Sequence, residues 1–293
     1  MPQSPRLLRP RQTIHPEAAA WAARVVANGG TVGASLAAVS KFCRAIDAAG
    51  IRDKFYRLNL HTGGTTGSAA GLAASLVPLY RGPSLGGTQY GNATDTNVGP
   101  FTSADYSTTD GLFASLSSGK YLDTGLASNA MPQSVYQAMH LSAWHGNVAY
   151  SATDPCLIGA YNSTTDRADI HISLRSSPAS DDARLGQTAV VATVSQFTGA
   201  RTPASYIASR TSPTSLRLYR NGVLDAENTT SVTSPGNSFP FFVHRRNATG
   251  TPSGEQTGMS VWCYSIGAGM TAQQVTDYYN AMTAFNTAMG RTA

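Results

Sequence analysis

Apolar positions along this chain change rhythm twice, from helical spacing to strand-like alternation and back. From His15-Pro16 the period is helical: Pro16 suits a first turn with Glu17 beside it, Trp21 and Val25 lie four apart, and Asn28-Gly29-Gly30 supplies a stop. Val32, Leu36, Val39, Phe42, Cys43 and Ile46 then share one face, and Gly50 ends the run, which predicts an αα-hairpin over residues 15–50. Arg52 to Phe55 predicts one more turn, and Tyr56 to Leu60 alternates as a strand. Between His61 and Ser75 the text is Gly, Thr, Ser and Ala and reads as flexible, Leu76 to Tyr80 is apolar again, and a Gly, Thr and Asn segment runs to about Pro100.

Beyond Pro100, short apolar runs alternate with turn clusters at roughly ten-residue spacing, the pattern of an antiparallel sandwich. Predicted strands are 119–123, 139–144, 156–161, 169–174, 188–194, 205–209, 216–219, 241–244 and 258–264. Ser215 to Arg220 and Val223 to Asp225 flank Asn221-Gly222, the pair that suits a type I′ turn with both central residues at positive φ. The chain closes on an amphipathic helix. Thr271 and Gln274 form a capping-box pattern, and Val275, Tyr278, Tyr279, Met282, Phe285 and Met289 line one side. No internal repeat of fixed period is present.

Composition agrees with a β-rich chain. Only 13% of the 293 residues are charged, while 28 are Gly, so turns and outward strand faces are largely neutral. No apolar run reaches the roughly 18 residues that span a bilayer, and the proline-broken N-terminus leads into no apolar segment, so neither signal peptide nor membrane anchor is expected. Three widely spaced cysteines, Cys43, Cys156 and Cys263, are expected to be reduced and buried.

Charge is uneven along the chain. Residues 1–81 hold ten Lys and Arg against three Asp and Glu, a balance of +7, whereas the rest hold eleven against thirteen, a balance of −2. The basic residues are spread along helices with no aromatic or glycine-rich nucleic-acid motif beside them. Docking on an acidic protein neighbour therefore explains them better than nucleic acid does. Arg6, Arg9 and Arg11 on the extended arm, with Arg24, Lys41 and Arg44 on the helices, are the candidate docking residues.

Catalytic chemistry is not expected. Glycoside hydrolysis needs two carboxylates about 5–9.5 Å apart across the scissile bond, yet Glu occurs only at 17, 227 and 255, in a helix and in predicted turns. Asp166 and Asp169 flank Arg167 and read as a solvated turn. The six histidines form no i, i+4 pair, and the five-residue separation of His140 and His145 places them on opposite faces of one strand. Asp181-Asp182, or Asp123 with Asn129, offer oxygens to calcium, but no spacing rule selects them, so no cofactor is assigned. For glycan contact Trp144, Tyr150, Tyr161 and Trp262 are available, each explained equally well by the core, with Trp144, Tyr150 and Tyr161 the candidates.

Two resemblances extend this reading. Leu216 to Leu224, Met259-Ser-Val-Trp-Cys-Tyr-Ser-Ile266 and the helix from Thr271 resemble the end of a laminin-G-like, concanavalin A-like jelly roll. Trp21 to Ile51 with Ala-Asn-Gly-Gly-Thr-Val at 27–32, Phe55-Tyr-Arg-Leu-Asn-Leu60, Ala73 to Leu79, Phe101 to Tyr106 and Ser117 to Gly125 are similar to a family of tailed-bacteriophage virion structural proteins. The resemblances imply a mainly β, antiparallel jelly-roll sandwich with an N-terminal helical hairpin and a C-terminal helix. The chain is expected to divide into an extended basic arm (1–14), a helical attachment module (15–60), a Gly/Thr/Ser-rich connection (61–100) and the sandwich with its terminal helix (101–293). The implied function is a non-enzymatic virion component, a decoration, fibre or tail accessory protein assembled in the host cytoplasm. Its expected partners are other virion proteins and further copies of itself. The rival reading is a glycan-binding module that recognises host polysaccharide.

Overall fold

Two sheets stack face to face, and a helical layer covers one of them. The computed structural model describes residues 13–115, 118–148, 156–163, 166–172, 180–185, 190–194, 202–231, 236–253 and 258–291. The first sheet has eight strands: β1 (Phe55–Asn59), β3 (Tyr106–Ser107), β4 (Gly111–Ala114), β6 (Met139–Val148), β11 (Ala204–Arg210), β12 (Leu216–Arg220), β13 (Val223–Asn228) and β17 (Met259–Ala268). The second has nine: β2 (Thr96–Val98), β5 (Tyr121–Ala127), β7 (Cys156–Ser163), β8 (Asp166–Ile172), β9 (Ser180–Leu185), β10 (Val190–Val194), β14 (Pro240–Val243), β15 (Arg246–Ala248) and β16 (Thr251–Ser253). The first runs β13-β12-β11-β6-β17-β4-β3, with β1 beside the second half of β17 where β4 borders the first half. The second runs β10-β9-β8-β7-β14-β5-β2. The pairings are antiparallel except that of β15 with β7. This is the antiparallel sandwich that the alternating pattern predicts and the jelly roll that the resemblance implies.

Among the described residues there are five α-helices: α1 (Pro16–Ala27), α2 (Ser35–Ala48), α3 (Ala69–Ser75), α4 (Gln133–Tyr136) and α5 (Ala272–Ala288). Two short helices are marginal alone, so their apolar stripes must find a surface. Trp21, Val25, Val39, Phe42 and Ile46 from the hairpin join Val275, Tyr278, Met282 and Phe285 from α5 over Phe55, Leu58, Trp144, Ile207 and Trp262 of the first sheet. The capping box at Thr271 and Gln274 starts α5 as the sequence predicts, with the Gln274 N–H donating to Thr271 Oγ1 at 3.3 Å. Among the described residues no helix is long and apolar enough to cross a membrane.

Strand β17 serves both cores through an irregularity. Met259, Val261, Tyr264 and Ile266 face the second sheet, whereas Trp262 and Cys263, consecutive in sequence, both pack beneath the helices. The register against β6 shifts between Val261 and Cys263, and one extra residue in the strand is what puts two neighbours on one side. All three cysteines are free and buried.

The second half of β17 meets a buried polar knot. Arg57 on β1 is fully buried, and its Nε and Nη2 donate to Asp95 Oδ1 at 3.1 and 2.6 Å. Tyr264 Oη donates to the same oxygen at 2.6 Å, and Asn59 Nδ2 donates to Asp95 Oδ2 at 2.7 Å. Burial works against the Arg57 charge, but Tyr264 and Asp95 outweigh it and raise its pKa. Arg57 Nη1 donates to the carbonyls of Tyr90 and Asn92, so the knot straps the long loop before β2 onto the sandwich.

Several sequence expectations need correction. The stretch 61–75 is not uniformly irregular: Ser68 Oγ accepts from the Gly71 N–H at 2.9 Å and starts α3. The strand predicted within residues 15–60 is β1, which joins the first sheet, and residues 61–100 hold α3 and β2. Strand β9 was not predicted, since Ser-Asp-Asp-Ala-Arg-Leu carries no β-branched residue, and tertiary pairing with β8 and β10 overrides its propensity.

Candidate functional site

Helices α1, α2 and α5 occupy the outer face of the first sheet, so the outer face of the second is the natural place to look for a ligand surface. Alternation fixes what it carries. Ile158 and Ala160 of β7, Ala168 and Ile170 of β8, and Ala183 and Leu185 of β9 point into the core, which turns Gly159, Tyr161, Arg167, Asp169 and Arg184 outward. Register then lines up Arg246, Gly159, Asp169 and Arg184 on adjacent strands, with Tyr161 opposite Arg167 in the next row.

The Asp169 side chain is 0% exposed beneath three arginines that are 17–20% exposed. Arg167 Nε donates to Asp169 Oδ2. The nearest Arg184 and Arg246 nitrogens stand 3.7 Å from the carboxylate, beyond hydrogen-bond reach. Arg246 Nε donates to Ser253 Oγ on β16 at 3.1 Å. The Tyr161 ring lies between two guanidiniums, 5.0 Å from Arg246 and 5.7 Å from Arg167. Gly159 allows this closeness: a Cβ there would stand 2.5 Å from Asp169 Cβ and 3.3 Å from Arg246 Cγ. The buried carboxylate thus accepts a hydrogen bond from Arg167 and lies within ion-pair distance of Arg184 and Arg246.

This corrects the reading of Asp169 as a solvated turn residue, because it lies mid-strand under arginines from three strands. Arg184 and Arg246 were missed as site residues. Only Arg167 and Asp169, two apart on one strand face, left a local signal.

Trp144 takes the core position that was the alternative to glycan contact. It is 1% exposed and covered by α5, where Tyr279 stacks on it. Tyr161 is half-buried within the arginine cluster, and Tyr150 lies outside the described residues. Arg6, Arg9 and Arg11 also lie outside them. Arg24 is half-buried, and its Nη2 donates to the carbonyls of Pro78 and Leu79 at 3.1 and 2.8 Å. Burial, with Arg81 adding to it, lowers the Arg24 pKa. Arg24 lines a cleft of about 220 Å³ with Ala27, Asn28, Ala93 and Thr94. Arg44 donates to the Thr13 carbonyl, and Lys41 is exposed on α2.

The described glutamates are committed to ion pairs: Glu17 with Arg52 at 2.7 Å and Glu227 with Arg217 at 2.9 Å. Glu255 lies outside the described residues, as do the side chains of Asp181 and Asp182. Asp123 accepts from the Gly125 N–H at 2.8 Å, and burial raises its pKa. Among the described residues no three His, Cys, Asp or Glu converge as metal ligands. His140 bonds Ser265 Oγ at 2.9 Å and meets Phe55 on the helical side, while His145 stacks on Tyr206 on the inner side, the opposite-face arrangement that their spacing predicts.

No family model and no curated protein matches this sequence. Among solved structures, the receptor-binding domain of botulinum neurotoxin C/D mosaic serotype is similar over 78% of this chain and 52% of its own, at 11% identity and a TM-score of 0.50. The binding domain of botulinum neurotoxin serotype D covers the same shares at 11% identity and a TM-score of 0.49. A Trypanosoma rangeli sialidase, solved with 2,3-difluorosialic acid, matches 78% of this chain and 33% of its own, at 11% identity and a TM-score of 0.47. This chain therefore spans about a third to a half of the length of these three solved chains. At such identity the likeness speaks to the β-sandwich fold alone.

Proposed function

We propose that this chain is a non-enzymatic structural component of a tailed-bacteriophage particle, a decoration, fibre or tail accessory protein that docks through its N-terminal region and assembles with further copies of itself. The seating of the helical hairpin carries the reading. Its apolar stripes are spent on the first sheet, and Arg44 holds the Thr13 carbonyl, so the chain enters the fold on the helical side, opposite the arginine-tyrosine face. A two-sided molecule of this kind attaches by one side and presents the other. Commitment of Glu17 and Glu227 to ion pairs, and burial of Asp169, support the non-catalytic part of the proposal.

Deleting residues 1–14 tests the docking side. The truncated protein is expected to fold with an unchanged melting temperature and to fail to incorporate into particles, and added salt is expected to weaken reassociation of the intact protein. Full occupancy by the truncated protein would overturn it.

A second reading, glycan binding, is favoured by one observation: Tyr161, an aromatic ring flanked by guanidinium donors, lies on the face the helices leave to other uses.

A further inference from the structure

We infer that the cleft between α1 and the loop before β2, with the outer face of α1 beside it, receives a helix of a neighbouring protein that brings an Asp or Glu to Arg24; this deepens the docking reading and rests on it. A surface helix ordinarily turns charged residues outward, but the exposed residues of α1 are Pro16, Ala19, Ala23, Val26 and Ala27, every one apolar. Val26 is 65% exposed, and Ile14, just before the helix, is 44% exposed. The two ionisable side chains of α1 are turned to the fold instead: Glu17 is buried on Arg52, and Arg24 is half-buried in the cleft of about 220 Å³ that it lines with Ala27, Asn28, Ala93 and Thr94. An apolar strip about three turns long is a surface that a second helix covers, ridge against groove.

Charge selects the occupant. Arg24 Nη2 donates to the Pro78 and Leu79 carbonyls, which fixes the guanidinium plane, while its buried Nε has no partner among the described residues. Glu17 is the carboxylate that acts on Arg24, but it is committed to Arg52 at 2.7 Å, and both Arg52 and Arg81 work against the Arg24 charge. Asp95, next to Thr94 in the cleft wall, is taken by Arg57. Among the described residues Arg24 is therefore left without a carboxylate of its own, in a place where half-burial makes one worth more than at an open surface. The wall opposite α1 is already set: Arg57 holds the Asn92 carbonyl, and the Asp95 N–H donates to the Leu76 carbonyl at 2.8 Å, so little ordering accompanies binding. Ala27 and Ala93 beside Arg24 suit an acid carried on an apolar surface better than a free, hydrated anion. A second copy's α1 would set Arg24 against Arg24, and residues 1–12 hold three arginines and no Asp or Glu, so neither supplies the acid.

Photo-cross-linking in assembled particles tests this, with the full chain carrying Ala23→Cys labelled by benzophenone maleimide; Cys43, Cys156 and Cys263 are buried, so the label goes to position 23. The expected product joins this chain to a peptide of another protein that has Asp or Glu within about one helical turn of the joined residue. Adding Arg24→Gln is expected to lower the yield about tenfold. Should that variant melt early for want of the Pro78 and Leu79 bonds, Ala27→Glu supplies a carboxylate to Arg24 from one turn along the same helix, and is expected to keep the melting temperature and lower the yield likewise. Flotation of the full chain with phosphatidylcholine and phosphatidylglycerol vesicles is expected to leave it unbound. Products confined to residues 1–14, or to α1 of a second copy, would overturn the assigned occupant, and a yield unchanged by both variants would overturn the role of Arg24. Flotation abolished by Ala23→Glu would give the face to a membrane and overturn the protein partner. Particles that carry the chain but yield no product would overturn this surface and leave N-terminal docking standing; particles without the chain would overturn both.

Discussion

Trp144 and Tyr279 stack with ring centroids 5.8 Å apart and planes 9° from parallel, and Tyr278 meets the same indole edge-on at 5.8 Å. That contact joins the C-terminal helix to a central strand of the first sheet. Trp144→Ala removes a large buried ring from between two layers and is expected to cost about 3–5 kcal/mol. Urea unfolding measures it; a loss below about 1 kcal/mol would mean that α5 does not depend on this seat.

Arg57 and Asp95 are both buried, joined at 2.6 Å. Arg57→Met strands the carboxylate away from water with Tyr264 and Asn59 as its remaining partners, and is expected to cost about 3–5 kcal/mol. The same unfolding assay reads it, and proteolysis of the loop before β2 should quicken because Arg57 also holds the Tyr90 and Asn92 carbonyls.

Asn221 and Gly222 adopt φ of 50° and 76° and close the β12–β13 hairpin in two residues. A Cβ at 222 would also stand 2.6 Å from the Tyr279 ring. Gly222→Val is expected to destabilise by about 1–3 kcal/mol through strain at this conformation; an unchanged melting temperature would contradict the assignment.

Burial pushes His61 and His140 down to about 4 and His244 down to about 3, from an ordinary 6.5. As pH falls below 6.5 the unfolded chain takes up these protons and the folded chain does not. Stability is therefore full above that value and declines down to about pH 4 through His61 and His140 and to about pH 3 through His244. Melting temperatures at pH 7.5, 5.5 and 4.5 should fall in that order; a flat series would contradict it.

Local signals made much of this fold legible. Asn221-Gly222, the Thr271 cap and the stripes from Trp21 to Ile46 need only near neighbours to be read. Ser68 followed by Ala-Ala-Gly-Leu-Ala-Ala was a readable helix start masked by flanking Gly and Thr. Which of its two readings Trp144 takes was not legible for a different reason: alternation separates the two faces of a strand but does not say which face a helix more than a hundred residues later will cover. The arginine cluster was hidden likewise, since Arg184 and Arg246 reach Asp169 only through pairing of β9 and β15 with their neighbours. The +7 of the first 81 residues includes Arg57, which charge counting cannot tell from a surface cation.

Electron microscopy of purified phage particles carrying a gold-labelled tag at the C-terminal end of this chain tests the central claim most directly. Label at one fixed, repeating station, lost when residues 1–14 are deleted, is the predicted result; label confined to the soluble fraction of the lysate, with none on particles, would contradict it.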